Sequence, residues 1–153
     1  MDEFSANKIM EADKMNVGTF LERRKGNVFQ VDWDIQLTGY KGKLKLQINY
    51  VENNEIRISF SETYENACLR RLEVPLVKEK IYNHRNSKSC GNSDIFSGIH
   101  KHRYLDRVKD GCAYVPNDID ITSLQSIIRT FASECKITLT GNLPRIVEQR
   151  RLF

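Results

Sequence analysis

The stretch Phe29-Gln-Val-Asp-Trp-Asp-Ile-Gln-Leu37 decides the fold of this chain, because apolar and polar residues alternate along it without a break. Successive side chains of a β-strand point to opposite faces of a sheet, so the pattern predicts a strand with one buried face and one wet face. The apolar positions of the run are Phe29, Val31, Trp33, Ile35 and Leu37. We therefore expect Trp33 to lie in the core.

Two more alternating runs follow, at residues 44–50 and 56–60, and glycines or asparagines separate each run from the one before it. Runs of this length joined by short turns predict consecutive antiparallel strands. The outward residues of the first strand are acidic and those of the second are basic, so charge pairing between the strands favours one register. Three later stretches also predict strands: residues 69–74, 99–105 and 136–140.

Two segments predict helices. Residues 2–15 carry an imperfect apolar stripe, and the segment near 121–135 carries the clearest helical pattern, with Asp120 or Thr122 as its expected N-cap. The apolar residues of the second helix are Leu124, Ile127, Ile128, Phe131 and Cys135. Together these elements predict a single α+β domain over residues 1–153. Its mainly antiparallel sheet of four to six strands would pack against the N-terminal helix and the helix near 121–135.

The composition is that of an ordinary globular protein, with 153 residues of which 40% are hydrophobic and 29% charged. The sequence contains no apolar run that could span a bilayer or serve as a signal peptide, so we expect a cytoplasmic protein that does not associate with membranes. Cys68, Cys90, Cys112 and Cys135 form no CxxC pair and are expected to be thiols. Because nucleotide-binding and hydrolase motifs are absent, we expect no cofactor.

The candidate site lies in residues 78–110, which we call the basic histidine window. This window contains all three histidines of the chain, and its eight lysines and arginines against four acidic residues account for the whole formal charge of +4. Histidine titrates near physiological pH and serves as acid, base or metal ligand. A segment rich in Asn, Ser and Gly, residues 83–98, predicts a long loop within the window, and long loops are often functional.

Alternation places His100, His102 and Tyr104 on one face of the predicted strand, where the loop can bring His84 to meet them. A polar surface strand is the alternative interpretation. Zinc is a second possibility, since Cys90, His100, His102 and Cys112 are ligand types that zinc prefers. Their spacing is unlike that of structural zinc sites, and we predict no metal site.

Ribonuclease activity without a metal is a third possibility, because it needs a general base, a general acid and a cation for the phosphate. The catalytic candidates are His84, His100 and His102. Binding of a phosphate backbone or an acidic surface without chemistry is the alternative. The binding candidates are Arg71, Arg85, Asn86, Lys101, Arg103, Tyr104 and Arg107. Reversing the charges of Lys101, Arg103 and Arg107 is expected to abolish binding, whereas deleting residues 148–153 is not.

Four short motifs resemble one protein family: Leu69-Arg-Arg-Leu-Glu-Val74, His84-Arg-Asn86, Ile99-His-Lys-His-Arg-Tyr104 and Cys112-Ala-Tyr-Val115. They are similar to the LxRLD, HxN, HxHxY and aromatic-Ala motifs of an uncharacterised family of small bacterial and prophage proteins, over about residues 55–137. The matching residues are Arg71, Glu73, His84, Asn86, His100, His102, Tyr104 and Ala113. The chain departs from the pattern with Glu73 in place of Asp and with Ser87-Lys88-Ser89 in place of a Pro-Asp-Gly turn.

The resemblance implies a mobile-element context, in which small proteins act as toxins, antitoxins or anti-defence factors. Our first hypothesis is a phage or mobile-element accessory protein that binds RNA, a nucleoprotein machine or a host defence protein, as an anti-CRISPR-like inhibitor does. The alternative is a metal-independent ribonuclease toxin of a toxin–antitoxin system. Under either hypothesis a His100→Ala, His102→Ala double variant is expected to keep its melting temperature within a few degrees while losing activity.

Overall fold

A computed structural model describes residues 1–78, 80–117 and 122–145. In it Val28–Gln36 forms the second strand along the chain, and this strand lies inside an eight-stranded sheet. The elements in chain order are α1 (Glu3–Glu11), β1 (Lys14–Lys25), β2 (Val28–Gln36), β3 (Leu44–Val51), β4 (Glu55–Glu62), β5 (Ala67–Pro75), β6 (Tyr82–Asn83), a 3-10 turn (Ser87–Cys90), β7 (Ile95–Phe96), β8 (His100–Arg103), β9 (Cys112–Tyr114), α2 (Leu124–Glu134) and β10 (Ile137–Thr138).

The large sheet has the strand order β10-β1-β2-β3-β4-β5-β8-β9, and β6 and β7 form a separate pair. Every pairing in the large sheet is antiparallel except that of β10 with β1. The α+β class with a mainly antiparallel sheet is therefore confirmed. The predicted size of four to six strands is wrong, because β1 and β9 were not recognised.

The two missed strands give weak sequence signals for physical reasons. The alternation of β1 is interrupted by a register shift between Val17 and Leu21, where Gly18 has a φ of +67°. The charged second half of β1 is exposed, and β9 has only three residues, too few to establish a period. The N-terminal helix consequently ends at Glu11 and not near residue 15. The Lys14 ammonium, at the start of β1, donates hydrogen bonds to the carbonyls of the last helical turn.

One face of the sheet and both helices share a single hydrophobic core, as predicted. Trp33 is 1% exposed, and its opposite residue on β3 is Leu46. The core residues that the alternation and the helical spacing identified are all buried: Val31, Trp33, Ile35, Leu46, Ile48, Ile58, Phe60, Leu124, Ile127, Ile128 and Phe131. None of the described helices is long and apolar enough to cross a lipid bilayer.

The N-cap of α2 is Ser123, and not Asp120 or Thr122 as predicted. The Ser123 hydroxyl accepts a hydrogen bond from the Ser126 amide at 3.0 Å, and the Ser126 hydroxyl accepts one from the Ser123 amide at 3.0 Å. This reciprocal capping box satisfies two amides at the start of the helix. Asp120 lies outside the described residues.

The prediction of four thiols is wrong for one pair of cysteines. Cys90 and Cys112 form a disulfide, with their Cα atoms 5.9 Å apart, whereas Cys68 and Cys135 are free. The disulfide joins the 3-10 turn to β9, and the 22-residue separation of the two cysteines in sequence gives no sign of this proximity. Burial raises the pKa of the Cys135 thiol to about 12, so this side chain is an unreactive part of the core.

Candidate functional site

The pairing of β5 with β8 positions two of the three histidines. In this antiparallel pair Glu73 lies opposite His100 and Arg71 lies opposite His102. Residues directly opposite each other share a face of the sheet, so these four side chains project together. Their face is the one away from α1 and α2, and we call it the outer face. Arg57 of β4 lies opposite Glu73 and joins them there.

Residues 82–99 fold over this part of the outer face, and we call them the covering segment. The Phe96 ring stacks on His100 with a centroid distance of 5.1 Å, and the Tyr82 ring meets His100 edge-on at 4.5 Å. The segment also delivers His84, whose ring is 4.3 Å from that of His102. The predicted long loop, residues 83–98, thus contains short regular elements: Asn83 of β6, the 3-10 turn and β7.

Four side chains meet beneath the covering segment, and we call them the Glu73–histidine cluster: Glu73, His84, His100 and His102. Glu73 and His100 are fully buried, and His102 and His84 are 3% and 8% exposed. The Oε2 atom of Glu73 lies 2.5 Å from Nε2 of His100, 3.4 Å from Nε2 of His84 and 3.6 Å from Nε2 of His102. The Nε2 atoms of His84 and His100 are 2.9 Å apart.

Backbone carbonyls orient two of the imidazole rings. Nδ1 of His100 lies 2.8 Å from the Gly98 carbonyl oxygen, and Nδ1 of His102 lies 2.8 Å from that of Asp110. A carbonyl oxygen only accepts hydrogen bonds, so Nδ1 carries the proton in both rings. The Nε2 atoms of both rings consequently face the centre of the cluster.

The carboxylate of Glu73 is also held by arginines. Its Oε1 atom lies 2.9 Å from Nη2 of Arg57 and 3.2 Å from Nε of Arg71, although neither contact has the geometry of a well-directed hydrogen bond. Burial opposes ionisation of this carboxyl group, but hydrogen bonds from His100 and His102 and the two arginine charges lower its pKa. Burial also lowers the pKa of His84 to about 4. The cluster therefore holds a charged carboxylate at neutral pH.

The remaining binding candidates are distributed over several surfaces. Arg71 lies beside the cluster, 3.2 Å from Nε2 of His102 and 3.6 Å from the Asp110 carboxylate. Tyr104 follows β8, and its side chain does not join those of the two histidines. Its hydroxyl instead donates a hydrogen bond to the Met1 carbonyl oxygen. The other four candidates are exposed: Arg85 and Asn86 on the covering segment, Arg103 at the end of β8, and Arg107 in the turn that follows.

Lys101 lies on the opposite face of β8 from the histidines, and only 1% of it is exposed. Its Nζ atom is 2.6 Å from the carboxylate of Glu134 on α2. We expect Lys101→Glu to lower the free energy of unfolding by about 3 to 5 kcal/mol, because it replaces the buried cation of this ion pair with a carboxylate that faces the carboxylate of Glu134. Arg103→Glu makes the same charge reversal at an exposed position of the same strand. It is expected to lower the free energy of unfolding by about 0.5 kcal/mol or less. Urea denaturation of the two variants makes the comparison.

This difference decides which basic residues can test binding. A triple reversal that includes Lys101 would lose binding by unfolding, so only the exposed residues are informative. Equal stability of the two variants would contradict the ion pair with Glu134.

Sequence reasoning did not identify the two partners of the histidines, Glu73 and Arg57, as site residues. The signal that identifies them is strand pairing. Once β5 and β8 are aligned, the alternation that groups His100 with His102 also groups Arg71 with Glu73. The proposed zinc ligands are separated, since Cys90 and Cys112 are bonded to each other. A different set of four side chains, the Glu73–histidine cluster, has the donor atoms that could hold a metal ion.

A groove of about 710 Å³ opens on the outer face beside the cluster. Its walls come from β3, β4, β5 and the turn after β8, and they include the basic side chains of Lys45, Arg71, Arg107 and Lys109. Arg71 connects the groove to the cluster, since it contacts both His102 and Asp110.

No protein-family model, curated protein or solved structure gives a significant match to this chain. The resemblance to the prophage family therefore remains an expectation from the motifs alone.

Proposed function

We propose that this protein is a cytoplasmic accessory protein of a phage or mobile element that binds RNA or a nucleoprotein machine, as an anti-CRISPR-like inhibitor does. The observation that supports binding over catalysis is the burial of all three histidines. The proposed contact surface is the groove beside the Glu73–histidine cluster, together with the exposed arginines of the basic histidine window.

Catalysis of RNA cleavage requires an imidazole nitrogen within hydrogen-bond reach of the 2′-hydroxyl. In this fold the Nε2 atoms of His100 and His102 face Glu73, and their Nδ1 atoms are bonded to backbone carbonyls. The rings of Tyr82 and Phe96 pack against His100. The ribonuclease hypothesis would thus require the covering segment to move away, and binding requires no such step.

The charges of the groove favour an anionic partner. Its three acidic side chains are already engaged: the carboxylate of Glu62 accepts hydrogen bonds from the backbone amides of Lys43 and Glu65, that of Glu65 pairs with the Met1 amino group, and Asp110 pairs with Arg71. Arg107 and Lys109 are exposed at the rim. Arginine and lysine at such positions contact phosphates, which supply most of the affinity of non-specific nucleic-acid binding.

The test is a double charge reversal, Arg107→Glu with Lys109→Glu, measured by fluorescence anisotropy with labelled single-stranded RNA. We expect the affinity to fall at least tenfold at low salt. Because each lost phosphate contact lowers the slope of log K against log salt by about one unit, the slope should fall by about two. The matched control is Arg23→Glu with Arg24→Glu, which makes the same charge change at exposed positions of β1.

Equal losses in the two double variants would show that only net charge matters and would reject the groove as the contact surface. The same incubation separates binding from catalysis. Intact RNA after incubation, with or without EDTA, supports binding alone, whereas cleavage that His84→Gln abolishes would support the ribonuclease hypothesis. A wild-type protein that neither binds RNA nor protects phage in a cellular defence assay would overturn the proposal.

A further inference from the structure

We propose that the Glu73–histidine cluster is a closed structural metal site that binds one Zn²⁺ through Glu73 Oε2 and the Nε2 atoms of His84, His100 and His102. The site does not depend on the function proposed for the groove. Three imidazoles and one carboxylate are ligand types that zinc accepts, and four protein ligands complete its tetrahedral coordination.

The orientation of the rings is the first argument. Nδ1 of His100 and of His102 donates to a backbone carbonyl, so each ring directs its Nε2 atom, the atom that a metal ion would bind, to the centre. The Glu73 oxygen and His84 Nε2 face the same point. Four atoms that can bind a metal ion thus converge in a buried space, where Zn²⁺ would take the place of the hydrogen bonds that join His100 to Glu73 and to His84. A proton shared by His100 and Glu73 is the alternative.

The spacing of the ligand atoms is the second argument. All four lie within 4.8 Å of one another. Zinc with bonds of about 2.0–2.1 Å requires ligand atoms about 3.3 Å apart in a tetrahedron. The distances of 3.4 Å from His84 and 3.6 Å from His102 to Glu73 Oε2 are already near that value. His100 must withdraw from the carboxylate by less than about 1 Å, and the ligand atoms that are farthest apart must approach one another. Nη2 of Arg71, which lies 3.2 Å from Nε2 of His102, must also give way to the metal ion.

The surroundings of the ligands are the third argument. Histidines that bind metals almost always donate their other N–H group to a carbonyl or carboxylate, which fixes the tautomer and the ring orientation. The Gly98 and Asp110 carbonyls do this for His100 and His102. Arg57 and Arg71 hold Oε1 of Glu73, so that its other oxygen faces the centre. These contacts are the outer shell that a bound metal ion needs.

A metal at this point joins two strands of the large sheet to a segment that has little regular structure of its own. Glu73 comes from β5, His100 and His102 from β8, and His84 from the covering segment, in which β6 and β7 have two residues each. Metal binding of this kind is coupled to local folding. We infer that Zn²⁺ fixes the covering segment to the outer face of the sheet.

The first experiment uses tag-free, full-length protein, stripped with EDTA and titrated with Zn²⁺ against a chromophoric chelator. We expect one Zn²⁺ per chain, and at least about a tenfold loss of affinity in Glu73→Gln and in His84→Gln. The matched control is Glu55→Gln, the same change at a neighbouring carboxylate that also contacts Arg57 and accepts a hydrogen bond from Tyr82. Its affinity should stay within about threefold of the wild type.

The second experiment needs no variant and guards against substitutions that unfold the protein. The three histidine ligands are the only histidines in the chain, so the imidazole ¹⁵N spectrum reports on this site alone. With Zn²⁺ we expect all three rings to be neutral, with His100 and His102 protonated at Nδ1 and with metal-shifted Nε2 signals. An imidazole spectrum that Zn²⁺ leaves unchanged overturns the proposal, as does zinc binding that survives in Glu73→Gln and is lost when the cysteines are replaced by serine.

Discussion

Trp33→Ala is expected to lower the free energy of unfolding by about 3 to 5 kcal/mol, because it removes a large ring from a closely packed core. Trp33 is 1% exposed, and Phe20 packs edge-on against it with a centroid distance of 5.4 Å. The neighbouring side chains come from a sheet in which β2 is paired with a strand on each side, so they cannot collapse fully into the cavity. Equilibrium denaturation in urea measures the loss.

Tyr64→Ala is the control, since it also truncates an aromatic ring but at a position that is 74% exposed. Its cost should not exceed about 0.5 kcal/mol. Phe131→Ala, on α2 and fully buried in the same core, should fall in the same range as Trp33→Ala. A cost for Trp33→Ala as small as that for Tyr64→Ala would contradict the register of β2.

The central part of the fold was predictable because its residues obey a strict period. The pattern of β2, β3 and β4 identified the side chains that face the core, although Asp32 on the other face of β2 is buried as well. The spacing from Leu124 onward identified the packing face of α2. The strand β1 could not be found in this way. Its bulge at Gly18 shifts the alternation, and the side chains of its second half are exposed, so they show no apolar period. The strand β9 is recognisable only by its pairing with β8.

The candidate site was predictable in its histidines and not in its surroundings. Alternation placed His100 beside His102, because residues two apart on a strand share a face. Two facts needed the three-dimensional structure. The pairing of β5 with β8 brings Glu73 to His100, and the covering segment turns a surface strand into a buried cluster. Charge counting could not show that Lys101 is buried against Glu134 while Arg103 is exposed.

Burial of the cluster changes what we expect of His100→Ala. The sequence alone predicted that replacing His100 and His102 would leave the melting temperature nearly unchanged. We now expect His100→Ala, measured with EDTA present, to lower the free energy of unfolding by about 3 to 5 kcal/mol. The variant leaves the fully buried carboxylate of Glu73 without its partner at 2.5 Å, and it removes the ring on which Phe96 stacks. Arg85→Ala, at an exposed position of the covering segment, should cost about 0.5 kcal/mol or less.

A double-mutant cycle with Glu73→Gln tests the physical reason. If the cost of His100→Ala comes from the unpaired carboxylate, then His100→Ala should cost less in the Glu73→Gln background, by about 1 kcal/mol or more. Strict additivity would instead assign the whole effect to lost packing against Phe96 and Tyr82. A single variant His100→Ala that is as stable as the wild type would mean that the three histidines are open to solvent. The ribonuclease hypothesis would then regain the access to substrate that it requires.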